Sequence, residues 1–256
     1  MHILTKKENG ILTIEFNRPE KKNSITSGMY QMMADALKDG QDDPAVRVVL
    51  FCGRPDIFTA GNDLVDFANH KARANVGDLP VAQFMANLIA LAKPVIAAVA
   101  GAAIGIGTTM LLHCDLIYAS EEAKFSMPFS PLGLCPEFSS SLLMPQIVGY
   151  QRAAEKLFLG EFFSAYEAHE MGLVNRVLPH DELMEFACGQ AAKLSALPAS
   201  SLRTTKQLMK SAQAKMVKSQ ILLENSFFSE MLSSPEAVEA FSAFFEKRKP
   251  DFKKFS

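Results

Sequence analysis

Three stretches of this 256-residue chain carry residue types whose spacing could do chemistry: 57–64 (IFTAGNDL), 101–113 (GAAIGIGTTMLLH) and 128–141 (PFSPLGLCPEFSSS). In the second, Gly105-Ile106-Gly107 follows a strand-like run and opens a helix-like one, the setting of a nucleotide-binding loop. Met110 stands where the dinucleotide fingerprint needs its last glycine, and no GxxxxGK[ST] phosphate loop occurs. What remains is a tight turn feeding a helix N-terminus, whose free N–H groups favour developing negative charge. The same small residues would equally serve as a packing turn that lets a helix approach a sheet. Ala60-Gly61-Asn62-Asp63 is similar: a loop able to present a backbone N–H, or a helix entry capped by Asn62 or Asp63. Two such loops converging on one oxygen would form an oxyanion hole.

Glu137 follows Pro136 at the head of a helix-like stretch. One reading is a first-turn acid complementing the helix dipole, with the proline at the first helical position. The other is a general base, its pKa raised by apolar sequence neighbours such as Phe129, Leu132, Leu134 and Phe138. Weaker candidates fall away on geometry. His113, Cys114 and Asp115 read as consecutive strand residues, which face opposite sides and form no triad. Ser139-Ser140-Ser141 lacks the GxSxG elbow and reads as a helix start. His2, His70, His113, His169 and His180 show no metal-ligand spacing, so no metal is expected.

The elements that must position these residues alternate in the first half. Residues 10–16 alternate apolar Leu12, Ile14 and Phe16 with Thr13 and Glu15, as a half-buried strand does. Ile25, Met29, Met32, Met33 and Leu37 recur at helical spacing until Asp39-Gly40. Residues 46–51, 94–100, 114–119 and 123–127 read as further strands, and 64–91 as helical, interrupted at 77–80. Such alternation favours βαβ crossovers and a mainly parallel sheet. From about Phe138 the pattern is almost wholly helical, with 173–177 the single later strand-like piece.

Bulk properties narrow the class. With 48% hydrophobic residues the chain can bury a substantial core, and 26 basic against 28 acidic residues argue against coating a nucleic acid. Cys52, Cys114, Cys135 and Cys188 lie far apart, as reduced thiols rather than a disulfide framework do. No secretory signal, membrane-length apolar run or SKL-type end is visible, so a cytoplasmic protein with no membrane or nucleic-acid partner is expected. A basic run near the end (Lys247, Arg248, Lys249, Lys253, Lys254) reads as solvated, or as able to meet a phosphate.

Five segments, in order, resemble the crotonase (enoyl-CoA hydratase/isomerase) superfamily: IEFNRP at 14–19 with NSI at 23–25, FTAGNDL at 58–64, KPVIAAVAG at 93–101, CDLIYA at 114–119 and AHEMGLV at 168–174. The resemblance implies an α/β fold: a crotonase-like ββα spiral core over 1–197 and a helical region over 198–256 that builds a homotrimer or dimer of trimers. It implies an acyl-CoA substrate and no separate cofactor. It places the thioester oxygen between the N–H groups of Asn62 and Ile106, with Ala60, Gly61, Asp63, Leu64, Gly105, Phe129 and Leu132 around the substrate. Many relatives have glycine where this chain has Ile106, which alters the pocket wall more than the main-chain donor.

Hydratases of the superfamily hold water between two glutamates, whose counterparts here are Thr109 and Phe129. Instead, Glu137 in Leu132-Gly133-Leu134-Cys135-Pro136-Glu137 resembles the peroxisomal type of Δ3,Δ2-enoyl-CoA isomerase. There, one base carries a proton from C2 to C4. The function so implied is isomerisation of 3-enoyl-CoA to 2-trans-enoyl-CoA in unsaturated fatty-acid β-oxidation. A hydratase-like acyl-CoA enzyme and a non-catalytic acyl-CoA-binding homologue remain open at this stage.

Overall fold

The computed structural model describes residues 1–53, 56–69 and 79–255. The expected helix interruption at Gly77 and Asp78 lies outside them, as does His70. A hairpin opens the chain, β1 (Ile3–Glu8) pairing antiparallel with β2 (Ile11–Phe16). The first of these strands has no counterpart in the alternation pattern, because its later residues, Thr5 to Glu8, are polar and exposed or half-exposed. Helix α1 (Ser27–Asp42) follows, its first turn capped by the Thr26 hydroxyl, which accepts from the Met29 N–H at 3.3 Å.

Three strand pairs come next. β3 (Val48–Cys52) and β4 (Ile57–Thr59), β5 (Val95–Val99) and β6 (Ala102–Ile104), and β7 (Leu116–Ser120) and β8 (Lys124–Ser126) each put one strand into each of two sheets. The larger sheet has the order β1-β2-β3-β5-β7-β10, with β10 at Arg176–Leu178, and is parallel from β2 onward. The smaller has the order β4-β6-β8-β9, closed by an antiparallel β9 (Phe163–Ser164). Each pair advances both sheets by one strand, and helices α2 (Leu64–Asn69), α3 (Pro80–Ala90) and α4 (Ile106–Thr109) lie between the pairs. The corner between β5 and β6 is Gly101, at φ +65, where an added Cβ would stand 2.0 Å from the Asp56 carbonyl oxygen.

Both faces of the central strands are buried, which explains their unbroken apolar runs. Val49, Phe51, Val95, Ala97 and Val99 face the main core, while Val48, Leu50, Ile96 and Ala98 pack with Leu183, Ala187 and Ala191 of α8 (Leu183–Ala196). The remaining helices are α5 (Ser140–Val148), α6 (Tyr150–Leu159), α7 (Ala165–Glu170), α9 (Ala199–Ser211), α10 (Ala214–Met231) and α11 (Pro235–Phe245). Val217 and Ala237 join the main core, and Ile221, Phe228 and Phe241 pack against it. Among the described residues no helix is long and apolar enough to cross a membrane.

Three expectations need correction. The late strand is Arg176–Leu178 rather than 173–177, because Leu173 and Val174 turn back to donate to the Ala168 carbonyl. Phe163–Ser164 forms a strand too short to show periodicity. His113 ends a 3-10 helix, so His113, Cys114 and Asp115 are not strand neighbours. Their side chains nevertheless diverge: His113 meets the Phe138 carbonyl at 2.9 Å, and Asp115 meets Lys206 at 2.7 Å.

Asn23 ties the first hairpin to the smaller sheet. Fully buried and left-handed at φ +53, it donates from Nδ2 to the Ile57 and Phe58 carbonyls at 3.0 and 3.1 Å and accepts from the Arg18 N–H at 2.7 Å. Asparagine tolerates this backbone better than alanine, and its three partners would be left unpaired by truncation. Asn23→Ala is therefore expected to lower the unfolding free energy by about 3 kcal/mol. Urea denaturation measures this, with the midpoint shifted and the slope retained.

Candidate active site

Because β4 and β6 run parallel, pairing Ile57 with Ala102 and Thr59 with Ala103, their C-terminal ends release both small-residue loops at one edge. Gly61, at φ +82, lies so close to the second loop that an added Cβ would stand 2.5 Å from the Ile104 carbonyl oxygen and 3.9 Å from Gly105 Cα. Only glycine permits that approach. The Ile25 N–H donates to the Gly61 carbonyl at 2.8 Å and the Asp63 N–H to the Ile25 carbonyl at 2.9 Å, a parallel bridge that passes over the Asn62 N–H. Ile106 is the first residue of α4, where helical N–H groups lack intrahelical partners. Among the described residues, neither the Asn62 nor the Ile106 N–H donates a hydrogen bond within the protein.

The capping expected of this loop is performed by Asp63, not Asn62. Asp63 Oδ1 accepts from the Val65 and Asp66 N–H groups at 3.1 Å, and Oδ2 pairs with Arg18 at 2.7 Å. Burial works to raise the Asp63 carboxyl, but Arg18, the Asp66 amide and the Ser24 hydroxyl outweigh it and hold it below the usual range. Asn62 instead receives the phenol of Tyr30 on its side-chain oxygen at 2.5 Å.

Glu137 does not belong to a helix. It lies in irregular chain three residues before α5, which excludes the reading as a first-turn acid. Its side chain is 5% exposed, and Oε1 accepts from the Thr109 hydroxyl at 3.1 Å. Thr109 ends the short helix that Ile106 begins, about 4.5 Å of rise further on. Burial pushes the Glu137 carboxyl from an ordinary 4.5 up to about 8; the Thr109 bond opposes the rise and the Glu224 charge adds to it. Tyr30 is pushed well above its usual range, by burial first and then by the charges of Glu137 and Asp66.

The structure thus brings Ala60, Gly61, Asn62 and Asp63 into one loop, which Leu64 leaves as the first residue of α2; Gly61 abuts Ile104 and Gly105 just before Ile106, and Glu137 is joined to α4 through Thr109. Phe129 and Leu132 sit on the turn leading to Glu137, where the Phe129 carbonyl accepts from the Leu132 and Leu134 N–H groups at 3.0 and 2.9 Å. The basic run is partly engaged elsewhere: Arg248 and Lys254 pair with Glu239 at 2.5 and 3.2 Å. Two participants have no sequence motif for the part they play. Thr109 stands where hydratases carry a glutamate, and the structure shows its hydroxyl as the hydrogen-bond donor to Glu137. Tyr30, a phenol on the otherwise apolar buried face of α1, was the available signal for a polar contact there.

Chemically, this is a buried base beside two free main-chain donors. Such a site can take a proton from a carbon next to a carbonyl and stabilise the resulting oxyanion.

Comparison with known proteins shows the family. The family model for enoyl-CoA hydratase/isomerase matches residues 6–255. The chain is 39% identical over 212 residues to enoyl-CoA delta isomerase 2 of Rattus norvegicus, covering 81% of this chain but only 54% of that protein. It is 30% identical over 251 residues to 2,3-dehydroadipyl-CoA hydratase of Escherichia coli, covering 98% of both. The crystal structure of an enoyl-CoA hydratase/isomerase from Pseudoalteromonas atlantica superposes with a TM-score of 0.94 at 38% identity, covering 98% of this chain and all of that one. With its paired sheets, abutting glycine loops and full-length match, the chain belongs to the enoyl-CoA hydratase/isomerase, or crotonase, superfamily.

Proposed function

We propose that this protein is a Δ3,Δ2-enoyl-CoA isomerase acting on an acyl-CoA thioester, with Glu137 as the proton carrier. The observation that carries this reading is the buried Glu137 carboxyl, poised near neutrality and hydrogen-bonded to the helix that opens at Ile106. The Glu137 carboxylate takes a proton from C2 of 3-enoyl-CoA, and the electrons move through C1 onto the thioester oxygen. The N–H groups of Asn62 and Ile106 hold that oxygen, each such donor being worth ~3 kcal/mol. The carboxylic acid then returns the proton to C4, leaving the double bond at C2–C3 and the base ionised again. No water or co-reactant is consumed.

Hydration would need a second group to hold and protonate. The nearby carboxylates are otherwise committed: Asp63 to Arg18, Asp66 to the Ser27 N–H at 2.7 Å, and Glu224 to the amides of Ser139 and Ser141. This supports transposition over hydration within a family that includes both activities.

Glu137→Gln keeps shape and removes the proton acceptor. Isomerisation, followed by absorbance of the conjugated product, is expected to fall at least 10³-fold with KM little changed. In the parent enzyme kcat/KM should rise with pH along a limb centred near 8, as Glu137 loses its proton. Hydration of 2-trans-enoyl-CoA should be slower than isomerisation; a faster hydratase rate would overturn the assignment.

The same carboxyl makes a separate prediction about stability. Between its ordinary 4.5 and about 8, folded Glu137 holds a proton that the unfolded chain releases. Stability from this group is therefore present at low pH and lost as pH rises through that window, by roughly 5 kcal/mol in full. The Glu137→Gln variant should melt above the parent by a margin that widens from pH 5 to pH 9. Equal melting shifts at both pH values would contradict this.

The family reading also implies a homotrimer or dimer of trimers. Leu208, Met209, Leu222, Phe227 and Phe244 on α9–α11 are each more than half exposed, an apolar surface suited to association. Light scattering at micromolar concentration is expected to give three or six times the chain mass, and a stable monomer would contradict it.

A further inference from the structure

The segment that carries Glu137 is held from the far end of the chain. Directly after Glu137, Phe138 and Ser139 are both left-handed, at φ +56 and +54, and neither is glycine. Side-chain residues keep such conformations only where their surroundings over-determine them. Here the surroundings do so. Glu224 of α10 is 4% exposed; its Oε2 accepts from the Ser139 N–H at 2.5 Å and its Oε1 from the Ser141 N–H at 3.0 Å. The Ser141 hydroxyl donates to Oε1 in a further short bond and accepts from the Gln220 amide at 2.8 Å, one turn earlier on α10. With donors on both oxygens, the carboxylate is the form that fits. From the other side the Phe138 carbonyl accepts from His113 Nε2 at 2.9 Å, the two rings stacking at 4.1 Å. The Glu137 carbonyl accepts from the Ser140 N–H at 3.0 Å and its hydroxyl at 2.6 Å.

We propose that Glu224 is a positioning residue for Glu137: by binding the Ser139 and Ser141 amides it holds the left-handed Phe138–Ser139 turn that aims the Glu137 carboxyl at Thr109. The role rests on the reading of Glu137 as the base, and the test separates the two. Groups facing Glu137 are Thr109 from α4, Tyr30 from α1, Cys135 from its own segment and Glu224 from α10. Only Glu224 both bears on that carboxyl as a charge and binds the adjacent backbone. Gln220 and Cys135, whose thiol meets the Glu224 carbonyl at 3.7 Å, fix α10 against the turn.

The experiment is Glu224→Gln, read as isomerisation of 3-enoyl-CoA and as a carbon-13 titration of the Glu137 carboxyl, assigned by its loss in Glu137→Gln. Glutamine keeps the length but sets an N–H group among donors. The expected result is a ten- to hundredfold lower kcat, KM within about threefold, and a Glu137 midpoint moved down by half a unit or more. In a Glu137→Gln background the same change should cost nothing further, since its effect passes through Glu137. A parent-like kcat with an unmoved midpoint would overturn the role, as would a lower melting temperature with both readings unchanged. Should Glu224→Gln fail to fold, Glu224→Asp keeps the charge and retracts the carboxylate; undiminished kcat in that variant also overturns it. A parent enzyme without isomerase turnover refutes the isomerase reading alone, and the substrate-free titration then decides the positioning role by itself.

Discussion

A carboxyl withheld from water dominates the chemistry of this protein, and most of the surrounding structure can be understood as maintaining that condition. An ionised carboxylate loses several kcal/mol of solvation on burial, and the usual relief is a cation or several amide donors. Among the described residues Glu137 receives neither. Its partner there is one neutral hydroxyl, Thr109, while the neighbouring Tyr30 phenol is committed to Asn62 and the Glu224 carboxylate adds repulsion. The contrast with Asp63, next in the chain to Asn62, is instructive. That acid has Arg18, two amides and a serine hydroxyl, and it stays a structural anion. One loop cluster therefore contains two acids with opposite environments, one held below and one pushed above the usual carboxyl range.

The ββα architecture supplies the other half of the site. A main-chain donor can be placed more rigidly than a side chain, provided the backbone on either side is fixed. Pairing β4 with β6 fixes both loops at one sheet edge, and Gly61 allows them to touch. Asn23, in the segment after β2, braces β4 through the carbonyls of Ile57 and Phe58, and Ile25 of the same segment bridges Asn62, so this segment helps to fix the Asn62 backbone. This explains why the segments around 17–25 and 57–64 act as one unit although more than thirty residues separate them.

Much of this was legible in the sequence, and the parts that were not share a cause. Buried strands such as 46–51 and 94–100 declare themselves by long apolar runs, the Gly105–Gly107 loop by a nucleotide motif left incomplete at Met110, and the Ala60–Asp63 loop by its run of small residues. The ββα pairing came only from family resemblance, because β4, β6, β8 and β9 have three residues or fewer and no periodicity survives at that length. Proline before Glu137 suggested a helix start; the chain instead takes two left-handed residues before α5, which local preference disfavours and tertiary contacts impose. The partners of the site were least visible. Tyr30 meets Asn62 across 32 residues and Glu224 meets Ser139 across 85, and no local pattern encodes such pairs.

That last contact alters how the C-terminal helices should be regarded. Read along the chain, residues 198–256 form an apolar helical region joined to a finished core. In three dimensions they complete that core, since Val217 and Ala237 are buried within it and Glu224 satisfies two amides that would otherwise be buried donors without acceptors. An unpaired buried amide costs ~1–3 kcal/mol, so a chain ending before α10 would leave the turn after Glu137 both strained and unsatisfied. The same helices carry the exposed apolar residues Leu222 and Phe227, one turn or less from Glu224. One face of α10 thus binds the turn after Glu137 through Glu224, while the other presents an exposed apolar surface, so a contact made on the outer face would bear on the backbone beside Glu137.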